Sequence, residues 1–322
     1  MTKLLEPIKA MITPEMLQLA GSRVGLSPQQ IEQGTALVMP LIATGMSRAA
    51  ATPEGQVALM KAVDEADTGV LGNLSGFLDG LNSESGADLV KRLLGDDGRV
   101  VSSLVKEHTG IDIAPVMAMA GPIVLGFLNS QVRRGGLDTN GLVKEIRSAS
   151  RSYERSKDES ATVIREAFKA ADEVRALKAQ LNAEEWHLAQ AAPLVAAAQV
   201  IGASPSRAKD AERELAAAVA AVDEAAAHAA PTSLVAALFA DGAASISAGD
   251  IGDASGALRR ASAVVGRVSA GELESYRKLV LGAAYAAAQA VKEGGFLGLG
   301  AKEVNADEQR SIDAVAAAIG AA

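Results

Sequence analysis

The sequence predicts an all-α protein, and its composition and its helix-start signals both favour this class. Apolar residues make up 49% of the 322 residues, whereas aromatic residues make up only 3%. The core must therefore be built mostly from Ala, Leu, Val, Ile and Met, and alanine is the strongest helix former. A hydroxyl residue followed by proline recurs at Thr13-Pro14, Ser27-Pro28 and Thr52-Pro53. This pairing is typical of a capped helix N-terminus.

The first 142 residues are predicted to hold two copies of one three-helix unit. The most apolar run of the chain, residues 110–128, carries Pro122, and a weaker relative at residues 25–46 carries Pro40. Because proline lacks the N–H group that a helix interior needs, each of these prolines should kink its helix or end it one turn early.

The helix starts of the two copies correspond as well. Ser27 and Asp112 are the predicted N-caps of the two apolar helices, and a shorter helix should follow each of them, over residues 55–63 and 139–146. Gln30, three residues after Ser27, completes a capping box.

The apolar run from Ile113 to Leu128 is also the best candidate for a membrane-spanning helix. It is shorter than the roughly 20 residues that a span needs, and it contains two prolines. We therefore expect a buried core helix and no transmembrane span. The stretch Met1 to Pro7 lacks the long apolar region of a signal peptide.

Glycines recur at positions 69, 72, 76 and 80, between the two copies. One interpretation is a connecting segment that folds over the core. The other is a self-association face, in which Gly72 and Gly76 let two backbones touch. Gly121 and Pro122, in the apolar run, are further candidate interaction residues.

Several short motifs resemble the YidB-like family, also called bacterial domain of unknown function 937, over roughly residues 3–135. The motifs are Gly-Leu-Ser-Pro-Gln-Gln at 25–30, Met39-Pro40-Leu41-Ile42, Thr52-Pro53-Glu54-Gly55, Gly-Asn-Leu at 72–74, Thr-Gly-Ile at 109–111 and Gly-Pro-Ile-Val-Leu-Gly at 121–126. The resemblance implies an all-helical fold built from duplicated three-helix units. It implies no activity and no functional residue.

Residues 143–181 are predicted to form one long amphipathic helix that links the two halves of the chain. Charges of both signs crowd its first half, and an apolar stripe follows, formed by Ile164, Phe168, Ala171, Val174, Leu177 and Leu181. The stripe favours packing against the C-terminal half. A coiled-coil dimer arm is the alternative, but the stripe is short for it.

Residues 182–322 are predicted to form an alanine-rich helical bundle. Helix starts are marked by three pairs of residues, namely Asn182 with Glu185, Ser269 with Glu272, and Asn305 with Glu308. The glycine-rich stretch 294–300 separates the last two helices. Its Phe296 and Leu297 either pack into the core or insert into a partner, and they are the last candidate interaction residues.

Few residues could carry chemistry. Glu184 and His187 are spaced like ligands of a di-iron helical bundle, but the chain has no second pair of this kind. No Gly-x-Ser-x-Gly turn and no phosphate-binding glycine loop is present. We therefore assign no catalytic, cofactor-binding or metal-ligating residue.

The charge and the cysteine count narrow the choice of partner and compartment. The net charge is −8, the wrong sign for a nucleic-acid surface, so we expect no nucleic-acid partner. The chain has no cysteine, which excludes disulfides and fits a reducing cytoplasm. A cytoplasmic location is therefore expected.

The sequence favours a non-enzymatic helical scaffold that binds a protein partner or further copies of itself. The first alternative is a carrier of a small apolar ligand or lipid, in a pocket lined by Met117, Met119 and Phe127. An enzyme of unknown class is the second alternative.

Overall fold

The structure is a computed structural model. It describes residues 21, 25–73, 76–77, 94–95, 97–134, 137–203, 208–246, 252–291 and 304–321. In these residues the chain forms twelve α-helices and two short 3-10 helices, with no β-strand. The all-α prediction is therefore confirmed. The chain divides into two compact units, unit 1 (Met1–Asp172) and unit 2 (Glu173–Ala322).

Unit 1 is organised around its fourth helix. In chain order the helices are α1 (Pro28–Ala49), α2 (Pro53–Asp64), the 3-10 helix η1 (Thr68–Leu71), α3 (Asp97–Thr109), α4 (Ile113–Arg133), α5 (Thr139–Arg155) and α6 (Glu159–Lys178), which continues past the unit boundary. Helix α4 packs against α1, α2, α3, α5 and η1. Helix α1 packs mainly against α5 and α4, and less against its chain neighbour α2.

The predicted starts of α1 and α4 are confirmed. Ser27 and Gln30 form a complete capping box, and the Asp112 carboxylate accepts a hydrogen bond from the N–H of Ala114. Gly25 and Gly110, which precede the two caps, have φ angles of 72° and 71°, a left-handed conformation that favours glycine. The duplication of whole three-helix units stays a prediction.

Both apolar helices run through their internal prolines. Helix α1 continues for nine residues after Pro40, and α4 continues to Arg133 after Pro122. The expectation that proline could end these helices one turn early is therefore wrong. Tertiary packing outweighs the lost hydrogen bond, because most residues around each proline are buried.

Helix α4 is long and apolar enough to cross a membrane, with a mean hydropathy of 1.6 in its most apolar window. Length and composition alone are weak evidence for a span, because the core helix of a folded domain has the same properties. In the structure 72% of that window is buried inside the protein.

The single linking helix predicted over 143–181 is wrong. The structure has α5 and α6 here, separated at residues 156–158. The Ser156 hydroxyl accepts a hydrogen bond from the Asp158 N–H, a local turn that competes with helix. The Arg165 side chain donates to the carbonyl oxygen of Glu154 at the end of α5. The apolar stripe is buried from Ile164 to Val174, as its spacing predicts.

Unit 2 is built around two alanine-rich helices that pack against each other. In chain order the helices are α7 (Ala183–Ile201), α8 (Ala208–His228), α9 (Leu234–Leu238), α10 (Ala254–Val268), the 3-10 helix η2 (Ala270–Glu272), α11 (Leu273–Gln289) and α12 (Ala306–Ile319). Helices α7 and α11 form its centre. Small alanine side chains let them approach closely, and Tyr276 of α11 is the largest fully buried side chain among the described residues.

Two of the three predicted capping pairs in unit 2 are confirmed. Asn182 with Glu185 and Asn305 with Glu308 form complete capping boxes. The pair of Ser269 and Glu272 does not, because η2 intervenes before α11 and no side chain caps it there.

Candidate functional site

The predicted interaction residues fall in different environments. Gly72 ends η1 and is exposed, and Gly76 is also exposed. Gly121 is buried and Pro122 is half-buried within α4. Phe296 and Leu297 lie outside the described residues.

The glycines at 69 and 72 do not form part of a long smooth helix face. Their helix η1 is a short 3-10 helix that ends at Leu71. It is pressed onto α4, where a Cβ on Gly126 would lie 2.7 Å from the backbone oxygen of Asp67. Helix η1 therefore folds over the core of unit 1.

The three residues predicted to line an apolar pocket are mostly buried. Met117 and Met119, within α4, are 0% and 2% exposed, and Phe127 is half-buried. They do not line either of the two grooves described in this section. The apolar-ligand pocket at these residues stays a prediction.

The C-terminal end of α1 is the point where four other helices of unit 1 meet. The guanidinium of Arg48 lies 3.2 Å from a carboxylate oxygen of Asp97, at the start of α3. It also forms two hydrogen bonds to the carboxylate of Asp172 on α6. The guanidinium lies 5.0 Å from the ring centroid of Phe168, a cation–π distance. Arg48 therefore ties α1, α3 and α6 together.

The electrostatics of this cluster favour the charged form of Arg48. The hydrogen bond to Asp172 is the main reason why the pKa of Arg48 is raised, and it outweighs the opposing effect of burial. The Asp97 side chain is 9% exposed, whereas that of Asp172 is 50% exposed. Water therefore screens the Asp172 pair more than the Asp97 pair.

The carbonyl oxygen of Ala50 links α1 to α2 and α5. It accepts hydrogen bonds from the Gln56 amide at 3.0 Å and from the Arg147 guanidinium at 2.9 Å. Carbonyl groups at a helix end lack a partner within the helix, so these side chains satisfy one of them. A Cβ on Gly55 would lie only 1.8 Å from the carbonyl oxygen of Ala49, so the turn leaves no room there for a side chain.

An open groove of about 270 Å³ lies between α2 and α5, and we call it the α2–α5 groove. It is lined by Gln56, Asn140, Val143, Lys144, Arg147 and Arg151. The α5 residues 140, 144, 147 and 151 recur at the spacing that places side chains on one helix face. Within the described residues, no ion pair involves the three cations of this groove.

A second and larger groove, of about 510 Å³, lies in unit 2 between α8, α9 and α11. Its lining is mostly apolar and includes Ala225, Val235 and Leu279. Glu272 also lines it, but its carboxylate accepts hydrogen bonds from the backbone N–H groups of Leu234 and Val235 at 2.9 and 3.2 Å. This glutamate caps α9, not α11 as the sequence predicted.

The histidines take structural positions. The Nδ1 atoms of His108 and His228 each lie 2.8 Å from the carbonyl oxygen four residues earlier in the same helix. Glu184 and His187 are both exposed at the start of α7. In the part of the chain that the structure describes, no group of three or more His, Asp or Glu side chains could hold a metal ion.

Sequence reasoning missed the residues that tie these helices together. Asn129 is 1% exposed, and its amide donates to the carbonyl oxygens of Ala66 and Asp64 at 2.7 and 3.3 Å. Arg48, Asp172 and Glu272 likewise have their partners far along the chain. Only Asn129 had a local signal, because it is the first amide after a long apolar run.

The comparisons with known proteins concern the first part of the chain. Residues 6–131 match a family model described as bacterial protein of unknown function (DUF937), so the resemblance predicted from the motifs is confirmed. No curated protein and no solved structure matches the chain. The matched segment includes helices α1 to α3 and most of α4, whereas the α5 side of the α2–α5 groove lies beyond it.

Proposed function

We propose that this chain, whose residues 6–131 match the DUF937 family, is a non-catalytic helical scaffold that binds a protein partner or further copies of itself. The observation that supports the proposal is an ion-pair cluster at the C-terminal end of α1. This cluster holds three helices together through Arg48, Asp97 and Asp172. A cluster of this kind stiffens a framework without needing a substrate. A cytoplasmic location is part of the proposal, in line with the lack of cysteine.

Self-association is the more specific form of the proposal. Gly72 is exposed at the end of η1, and the neighbouring Val70 is buried. Helix η1 packs on α4, so the exposed glycine follows a segment that is held against the core. An exposed glycine allows the backbone of a second molecule to approach closely.

The test is the native mass of the protein across a concentration range, for the wild type and for Gly72→Leu. A Cβ on Gly72 would meet only one atom within 4 Å, at 3.6 Å, so the variant should fold. Gly271→Leu is a matched control, because Gly271 is an exposed glycine in the other 3-10 helix with open space around it. Gly121→Leu is unsuitable, because Gly121 is buried and the larger side chain would disrupt the core.

We expect the mass to rise with concentration in the wild type and in Gly271→Leu, and to rise less in Gly72→Leu. A mass that stays monomeric at every concentration would reject self-association. Assembly that survives Gly72→Leu would reject the role of this glycine.

The second candidate function is carriage of a small apolar ligand, supported by the unit 2 groove of about 510 Å³. Native mass spectrometry of the purified protein should then detect a bound lipid-sized ligand. Gly282 lines this groove, and a Cβ added to it would meet no atom within 4 Å, so Gly282→Phe should fill the groove and displace the ligand. Identical spectra for the two proteins would count against this candidate. An enzyme of unknown class is the last alternative.

A further inference from the structure

The α2–α5 groove carries a concentrated positive charge on an acidic protein. Lys144, Arg147 and Arg151 line it from one face of α5, although the net charge of the chain is −8. Like charges at this spacing repel one another along a helix. The stripe therefore lowers the stability of α5 unless an anion offsets it.

The structure holds the middle cation of the stripe in place. The guanidinium of Arg147 donates to the carbonyl oxygen of Ala50, and so does the Gln56 amide from the other wall. Lys144 and Arg151 flank this fixed point, and neither forms an ion pair or a hydrogen bond with a described side chain. Among the described residues, the groove therefore presents one anchored cation, Arg147, with one unpaired cation on each side of it.

The spacing of the cations favours an extended anion. Arg151 is seven positions after Lys144, which corresponds to about 10 Å along a helix. A single phosphate ion is too small to meet both ends of such a stripe. Carboxylates spaced along a peptide can pair with Lys144 at one end of the stripe and with Arg151 at the other.

The groove is mainly a charged and polar surface. Val143 is its one apolar lining residue, and it is only 6% exposed. Val57, the residue after Gln56 on α2, is 71% exposed but is not part of the lining. Recognition at this groove therefore depends on charge.

We propose that the α2–α5 groove binds an acidic segment of a partner protein through Lys144, Arg147 and Arg151. The inference rests on the scaffold function and names the chemistry of its partner. The carboxylates of the segment lie along α5, opposite these three cations.

The test is fluorescence anisotropy of a labelled glutamate-rich peptide, with the full-length protein at low ionic strength. The test variant is Lys144→Gln with Arg151→Gln, because neither side chain donates to another described residue. Arg147 is left in place, since its bond to Ala50 supports the fold. The control is Lys157→Gln with Lys209→Gln, which removes two exposed lysines outside the groove lining.

We expect the dissociation constant of the test variant to be about tenfold higher than that of the wild type, because each lost exposed charge pair raises it by up to about fivefold. The control variant should bind with an unchanged dissociation constant. Added salt should weaken binding by the wild type, because it screens exposed charges. A peptide with glutamine in place of glutamate should not bind. Circular dichroism should give the same helix content for all variants.

Several results would overturn the inference. These are no binding of the peptide by the wild type, equal losses in the test and control variants, and full competition by inorganic phosphate at the peptide's own concentration. Loss of self-assembly in the test variant would identify a second copy as the occupant and would also overturn it. If the peptide does not bind but the mass of the wild type rises with concentration, the groove inference fails and the scaffold function stands.

Discussion

Gly55 shows how one residue shapes the turn on which the groove and the Arg48 cluster both depend. The chain reverses between α1 and α2 at this point, and the Thr52 hydroxyl accepts a hydrogen bond from the Gly55 N–H at 3.1 Å. A Cβ on Gly55 would lie 1.8 Å from the Ala49 carbonyl oxygen, which is backbone and cannot move aside. Glycine is required here by close approach, not by its φ angle.

We expect Gly55→Ala to lower the free energy of unfolding by about 1–3 kcal/mol, because the turn must open to admit the methyl group. Urea unfolding followed by circular dichroism measures this change. Gly282→Ala should change stability in the opposite direction, by about 0.5–1 kcal/mol, since Gly282 lies within α11 with open space around it. Equal effects of the two substitutions would refute the steric explanation.

Single residues were predictable where their partners are near in sequence. The cap residues Ser27, Thr52 and Asn305 form bonds two or three positions away, so local pattern was enough. Arg48 and Asp172 are separated by 124 positions. A pairing of that length depends on how the helices pack, and composition and periodicity carry no information about it.

At the scale of elements, helix starts were easier to predict than helix ends. Proline and hydroxyl caps define the start of α1 and α2, whereas α5 was predicted to stop near residue 146 and instead runs to Arg155. Its true end depends on Arg165, which reaches back from α6 to the Glu154 carbonyl oxygen. The α2–α5 groove was missed for the same reason, because its walls come from helices that are distant in sequence.

The Arg48 cluster makes a prediction about how α1, α3 and α6 are held together. Arg48→Met should cost about 1.5–3 kcal/mol of unfolding free energy, because it removes charged hydrogen bonds to Asp172 and to the nearly buried Asp97. Asp172→Asn should cost less than about 1 kcal/mol, because that carboxylate is half exposed and screened.

Urea unfolding measures both variants of the cluster under the same conditions. If Asp172→Asn cost as much as Arg48→Met, the buried pair with Asp97 would not be the stronger contact. Arg310→Met is a suitable control, because Arg310 is exposed and pairs with Asp307, a neighbour on its own helix.

At the scale of the whole molecule, each unit has a core of its own, and one residue allows unit 2 to be followed separately. Trp186, on α7 in unit 2, is the only tryptophan in the sequence. Its fluorescence therefore reports the unfolding of unit 2. In the same unit, the Tyr276 hydroxyl is buried and donates to the carbonyl oxygen of Ala189 at 2.8 Å.

Burial raises the pKa of Tyr276 far above its usual value near 10. The folded state therefore holds this proton more tightly than the unfolded state does. The resulting stability is fully present below about pH 10 and is lost as the pH rises further, towards the folded pKa. We expect the urea midpoint reported by Trp186 to fall above about pH 10.

Tyr276→Phe should remove the part of the stability loss above about pH 10 that comes from this hydroxyl. At neutral pH it should cost about 0.5–1.5 kcal/mol, because the hydrogen bond to Ala189 disappears. Tyr285→Phe is the matched control, since that side chain is 38% exposed on the same helix. If the urea midpoint of Tyr276→Phe fell above about pH 10 as much as that of the wild type, the alkaline loss of stability would not come from Tyr276.

The packing of α1 against α5 has a consequence for the order in which unit 1 acquires its structure. The bond from Arg147 to Ala50 spans 97 positions, and α4 likewise packs against α2 from an earlier part of the chain. Contacts this distant raise the contact order and slow folding relative to a bundle of sequential neighbours. During synthesis, α1 leaves the ribosome well before its main packing partner exists. We therefore expect unit 1 to reach its native state only after α5 has emerged, as one cooperative event.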